Sequence, residues 1–176
     1  MNERTDANPA GLLDDNEDLV VDVVIEIPQG SRNKYEYDPE TKAMRLDRVL
    51  YTAMHYPGDY GFVPDTLAED GDAVDVVVLI SSPTFPGCRV AARIVGALLM
   101  EDEAEADIKL LGVAVGDPRL RHIRSLQDVA PHLLAEVEHF FQEYKHLEGK
   151  STATAGWRDR VYARKILLEA YARFKN

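Results

Sequence analysis

The spacing of apolar residues changes character near Gly116. Before it they come in short, β-branched runs; after it they recur at helical spacing. Leu19-Val-Val-Asp-Val-Val-Ile-Glu-Ile27 predicts a strand, stopped by Pro28. At a period of two, Val21, Val23, Ile25 and Ile27 share one face, and Asp22 and Glu26 the other. Lys34–Tyr37 reads as a short strand with Lys34 and Glu36 on one face, Asp38–Thr41 as a turn, and Met44–Val49 as the next strand. Residues 55–66 mix His, Pro, Gly and Tyr too irregularly for a regular element and read as a structured loop. Strands are predicted at 74–80, 89–99 and 108–115.

Beyond Gly116, Pro131 suits a first helical position, and Leu134, Val137, Phe140, Phe141, Tyr144 and Leu147 form a stripe that Gly149 closes. A second helix is predicted over 157–174, burying Val161, Ile166, Leu167, Ala170, Tyr171 and Phe174. Strands first and helices last imply an α+β domain whose sheet curls into a barrel. Residues 1–17 have little to bury and read as a flexible N-terminal arm, leaving 18–176 as a single domain.

Composition narrows the function. The 176 residues carry a formal charge of −11, which argues against non-specific nucleic-acid binding and against attraction to anionic membranes. Cys88 is the only cysteine, so no intrachain disulfide forms and a reducing cytoplasm is expected. The acidic N-terminus lacks the apolar segment of a signal peptide, and no apolar run approaches a membrane span.

Charge placement carries the chemistry. Asp70-Gly-Asp72-Ala-Val-Asp75 leads into the apolar run Val76–Ile80, and no Lys or Arg occurs from Val49 to Cys88. Nothing local therefore neutralises Asp59, Asp65, Glu69, Asp70, Asp72 and Asp75. Clustered carboxylates repel unless cations lie between them, and hard divalent cations favour oxygen ligands. A second acidic nest follows at 101–107, and for Glu101, Glu103 and Glu105 a solvated hairpin loop explains the charge.

The bland reading makes each aspartate a turn residue, and Lys34, Arg48, Lys109 and Lys145, taken singly, ordinary surface residues. An EF-hand fits poorly, because Gly71 stands at the second loop position rather than the sixth. A haloacid-dehalogenase-like phosphatase is a weaker alternative, since its aspartates should follow an apolar strand, whereas here the strand comes after. A non-catalytic barrel binding metal or oligonucleotide would show a basic face with exposed aromatics. The helix box of a Nudix hydrolase does not occur.

From Val20 to the final helix the chain resembles the family I soluble inorganic pyrophosphatases, most closely the bacterial form. The resemblance rests on Ile25-Glu-Ile-Pro28, Asn33-Lys-Tyr-Glu36, Leu46-Asp-Arg48, Tyr56-Pro-Gly-Asp-Tyr-Gly61, Asp70–Asp75, Asp102 with Asp107-Ile-Lys109, and His139-Phe-Phe-Gln-Glu-Tyr-Lys145. One departure is Ala73, where the family signature has Pro or Glu; losing a ring that fixes φ loosens the turn without removing a ligand.

The resemblance implies a small distorted five-stranded, OB-like barrel with flanking C-terminal helices. It implies a cytoplasmic enzyme that hydrolyses diphosphate to two phosphates by direct attack of a metal-activated water, and a homo-oligomer, commonly a homohexamer. The cofactor implied is magnesium (Mg2+), with manganese (Mn2+) or zinc (Zn2+) as possible substitutes; calcium (Ca2+), larger and less strictly octahedral, is expected to inhibit. By the same resemblance Asp70, Asp75 and Asp107 match tight metal ligands, Asp102 and Glu26 match ligands of substrate-borne metals, and Glu36 supports them. Lys34, Arg48, Tyr60, Lys109, Tyr144 and Lys145 match groups gripping the phosphates. Asp72 matches the general base, with Asp107 its rival. Neither nucleic acid nor membrane is expected as a partner.

Overall fold

Strand β1 (Val20–Ile27) opens the fold, and its Val/Ile run pairs on both sides. In the computed structural model, which describes residues 18–103 and 105–176, β2 (Asn33–Asp38) and β3 (Ala43–Val49) form a separate two-stranded ribbon. The remaining strands are β4 (Asp59–Val63), β5 (Val74–Leu79), β6 (Arg89–Asp102), β7 (Glu105–Ala106), β8 (Lys109–Ala114) and β9 (Thr152–Asp159). Helices α1 (Pro131–Glu143) and α2 (Arg160–Lys175) come late in the chain. The expected N-terminal arm, 1–17, lies outside the described residues.

Five strands close a ring in the order β1-β4-β5-β8-β6, with β1 returning to pair with β6. All pairs are antiparallel except β5–β8, where Asp75 lies opposite Lys109. That register sets an acidic and a basic member of the site side by side. β6, 14 residues long, carries register shifts at 94/96 and 98/100; past the ring it pairs with β9 and β7. Bulges of this kind bend a strand and change its partners. Gly61 permits the β1–β4 approach, because a Cβ there would lie 1.9 Å from the Val24 carbonyl oxygen.

Two apolar cores lie on opposite faces of the strands. Val77, Leu79, Leu111 and Val113 pack with Phe140 and Phe141 of α1, while Val76, Val78, Ile94 and Leu110 pack with Ala163, Leu167 and Ala170 of α2. Burial on both faces explains why β5 reads as a continuous apolar run rather than an alternation. A register shift between Ile25 and Ile27 splits β1 between the cores: Val21, Val23 and Ile25 belong to one and Ile27 to the other.

Four expectations are corrected. The loop read over 55–66 contains β4, and the start of the second predicted helix is the end of β9. Helix α1 stops at Glu143, followed by a 3-10 turn at His146–Glu148, so Leu147 is exposed. Val161 and Phe174 are exposed too; α2 buries Ala163, Leu167 and Ala170 instead. Among the described residues, no helix is long and apolar enough to cross a membrane.

Candidate active site

The aspartate turn hangs from a polar frame at the start of β5. Thr66, 3 % exposed, donates its hydroxyl to the Val63 carbonyl at 2.6 Å and accepts the Val74 N–H at 3.0 Å. Ala68 donates to the Asp72 carbonyl at 2.7 Å, and the Asp72 N–H donates to Asp70 Oδ1 at 3.0 Å. Gly71, at φ 92°, takes the left-handed conformation this tight turn demands. Asp70 and Asp72 are held at the exposed lip and Asp75 lies deeper.

Lys109 is the floor of the site. It is 4 % exposed, a correction to its reading as a surface residue, and its Nζ lies 2.6 Å from Asp75 Oδ2 and 2.5 Å from Asp107 Oδ1. Burial opposes its charge, but Asp75 and Asp107 outweigh that and hold the ammonium well above the usual lysine range. The same nitrogen sits 5.6 Å from the Tyr60 ring centroid and 6.0 Å from that of Phe141.

Tyr56, Tyr60, Phe140, Phe141 and Tyr144 form a continuous aromatic wall, with centroids between 4.7 and 6.0 Å apart. Burial raises the hydroxyl pKa values of Tyr56, Tyr60 and Tyr144, and for Tyr60 the Asp75 and Asp107 charges add to it. These phenols stay neutral donors at any physiological pH.

Three more ion pairs join the predicted halves. Lys145 pairs with Asp102, Lys34 with Glu36, and Arg48 with Asp47. Lys34 also lies 3.4 Å from Asp47, and Arg48 Nε donates to Glu148 at 3.0 Å. Lys34, Lys109 and Lys145 thus each pair with a carboxylate predicted for the site, and Lys109 and Lys145 lie beside the Tyr60 and Tyr144 rings. The three expected phosphate-gripping lysines stand directly against expected metal-ligating carboxylates, whereas Arg48 pairs with Asp47 and Glu148.

Negative charge is in excess. Burial first, and then Asp70, Asp75, Asp107 and Glu36, raise the Asp72 carboxyl above the usual aspartate range. Glu26 is pushed up to about 7, chiefly by burial, although the Tyr37 N–H donates to it at 2.8 Å. Asp75 and Glu36 add to the rise and Lys34 opposes it.

Glu26 should make the metal-free fold sensitive to pH. Its folded pKa lies above the ordinary value of 4.5, so its full contribution to stability is present below about pH 4.5 and is lost as pH rises through about 7. The loss is about 3 kcal/mol at most. Urea unfolding with chelator present, at several pH values, should show this decline, and Glu26→Gln should flatten it. A parallel decline in the variant would assign the effect elsewhere.

The donors fit hard divalent cations. They are carboxylate oxygens, and Asp102 Oδ1 is buried with no hydrogen-bond partner although Oδ2 is paired to Lys145. Among the described residues no three carboxylates or imidazoles already converge on one point. The Lys109 ammonium stands between two of them, Asp75 and Asp107.

Sequence reasoning passed over Tyr56, Asp47 and Glu148. Tyr56 and Asp47 were visible inside the Tyr56–Gly61 and Leu46–Arg48 blocks; Glu148 joins only through folding. Asp59, counted with the uncompensated acids, is structural: fully buried, it accepts from the Gln29 N–H and from the Thr84 N–H and hydroxyl.

The model of the family described as inorganic pyrophosphatase matches residues 23–175. The chain belongs to the inorganic pyrophosphatase family. The Thermus thermophilus inorganic pyrophosphatase is 52 % identical over 159 residues, covering 89 % of this chain and 91 % of that protein. The Methanosarcina mazei inorganic pyrophosphatase is 53 % identical over 152 residues, covering 86 % and 90 %. The crystal structure of an inorganic pyrophosphatase from Thermus thermophilus superposes with a TM-score of 0.87 at 49 % identity, covering 94 % of this chain and 96 % of that one. The inorganic pyrophosphatase family is metal-dependent, in keeping with the oxygen-rich donor set. The haloacid-dehalogenase and non-catalytic barrel alternatives are not favoured by any of these matches.

Proposed function

We propose that the chain is an inorganic diphosphatase, hydrolysing diphosphate to two phosphates by direct attack of water. The observation that carries this reading is the interleaving of hard-oxygen carboxylates with phosphate-binding cations around the buried Lys109. Asp70, Asp75 and Asp107 would hold tightly bound divalent ions, and Asp102 and Glu26, supported by Glu36, those that arrive with the substrate. Such ions, when bound, neutralise phosphoryl charge and make water acidic enough to attack at neutral pH. Magnesium is the ion we assign, with manganese or zinc as substitutes.

Lys34, Lys109 and Lys145 contribute point charges to the phosphate oxygens, while Arg48 contributes a planar fork. Tyr60 and Tyr144 donate hydrogen bonds without adding charge. Asp72 takes the proton as the water oxygen bonds to one phosphorus. The bridging P–O bond breaks, and its electron pair leaves on the second phosphate. No covalent enzyme intermediate forms. We read residues 18–176 as one domain acting in the cytoplasm within a homohexamer.

The direct test is phosphate release from diphosphate with magnesium, beside a phosphomonoester control. Release from diphosphate alone is expected; equal release from both would favour a general phosphatase. A narrower test concerns Arg48. Arg48→Lys keeps the charge but loses the fork, and should lower kcat/KM by roughly 10- to 100-fold. Unchanged kinetics would remove Arg48 from the site.

A further inference from the structure

Arg48 is held by a carboxylate 100 residues away. It lies on β3, whose only strand partner among the described residues is β2, and a two-stranded ribbon of this kind is marginal by itself. Its arginine can be aimed with constant geometry only if something outside the ribbon fixes it. Two contacts are present. Asp47, the neighbouring residue, moves with Arg48, and its other partner, Lys34, belongs to the same ribbon, so it ties Arg48 to nothing outside the ribbon. Glu148 is different: its side chain is 8 % exposed, and it sits on the 3-10 turn after α1, whose helix packs into the core. That turn begins at Lys145, and the Glu148 N–H donates to the Lys145 carbonyl at 3.0 Å. One turn thus carries both a proposed phosphate lysine and the acceptor that locks the proposed phosphate arginine.

We propose that Glu148 is a positioning residue for diphosphate: by binding Arg48 Nε it fixes the guanidinium plane and couples the β2–β3 ribbon to Lys145. The inference rests on the reading of Arg48 as a phosphate grip. The Nε bond uses the donor that points back along the side chain, and Asp47 takes one donor of Nη1, so Nη2 and the second donor of Nη1 remain for phosphate oxygens, since a guanidinium offers five donors in a fixed fork. A misaimed fork costs binding in the transition state even when the charge stays nearby.

The test is a double-mutant cycle in kcat/KM on the full chain with magnesium. Glu148→Ala should lower kcat/KM about tenfold, and Glu148→Gln, which keeps an acceptor oxygen and the side-chain volume, about threefold. In the Glu148→Ala background, Arg48→Lys should cost only a few-fold more, far less than in the native chain, because residues acting through one another are non-additive. If Glu148→Ala unfolds, the same cycle run on Glu148→Gln should show the same non-additivity. Fully additive losses would overturn the proposal, as would native kcat/KM in both Glu148 variants. A native rate in Arg48→Lys alone would instead overturn the assignment of Arg48 to substrate, a separate failure.

Discussion

Excess chelator is expected to abolish diphosphate hydrolysis, and added magnesium to restore it. The loss should exceed roughly 10⁴-fold, or about 5 kcal/mol of barrier. The reason is electrostatic. Asp70, Asp72, Asp75, Asp102, Asp107, Glu26 and Glu36 share the site with only Lys34, Arg48, Lys109 and Lys145. Each lysine already has a carboxylate partner. Diphosphate brings further negative charge into this field, so without divalent ions the site repels both its substrate and the incoming nucleophile. Phosphate release in excess chelator, followed by stepwise magnesium addition, measures the effect. Full activity in excess chelator would refute the mechanism. Calcium added in place of magnesium should inhibit, because a larger ion with looser geometry fills the same oxygens without activating water as well.

Most of the barrel was legible because its strands carry one clear signal each. β5 and β8 are buried on both faces, and their unbroken apolar runs can hardly be read otherwise. β4 was hidden. Its residues Asp59-Tyr-Gly-Phe-Val63 include a glycine demanded by the backbone approach at Val24 and an aspartate that braces the loop at Thr84. Both are strand-breaking by composition, and tertiary packing overrides them. β9 failed for another reason. Among the described residues Thr152–Asp159 pairs only with β6, and apart from Trp157 it carries small and polar residues, Thr, Ala and Gly among them, that do not announce a strand.

The site was legible to the extent that charge placement can be read from spacing. Three aspartates over 70–75 with no local cation pointed to a cation site, and β5–β8 register explains the partner of one of them. Asp75 faces Lys109 across a parallel pair, a contact between segments 34 residues apart. Spacing could not reveal that Lys109 is buried, nor that Glu148 reaches Arg48. Both depend on how α1 packs its Phe140–Phe141–Tyr144 face against the barrel. Asp59 shows the converse: the same charge signal, absorbed by the backbone N–H groups of Gln29 and Thr84 and the Thr84 hydroxyl.

Asp72→Asn should cut kcat by roughly 10²–10⁴ while leaving the thermal unfolding midpoint nearly unchanged. Asp72 is at the exposed lip of the turn, and its backbone, not its carboxylate, supplies the hydrogen bonds that hold the turn. An amide of equal size therefore preserves the frame. Without metal its carboxyl is raised by burial and by Asp70, Asp75, Asp107 and Glu36. Among the described residues its carboxylate makes no ion pair, whereas Asp107 is bound by the buried ammonium of Lys109 at 2.5 Å. A lone pair engaged by an ammonium is a poorer proton acceptor, and this favours Asp72 over its rival. The pH profile separates the two. If Asp72 is the base, Asp72→Asn removes the acidic limb of kcat, whereas Asp107→Asn raises the magnesium concentration needed and leaves that limb in place. A near-native rate in Asp72→Asn, with the acidic limb lost only in Asp107→Asn, would transfer the role to Asp107.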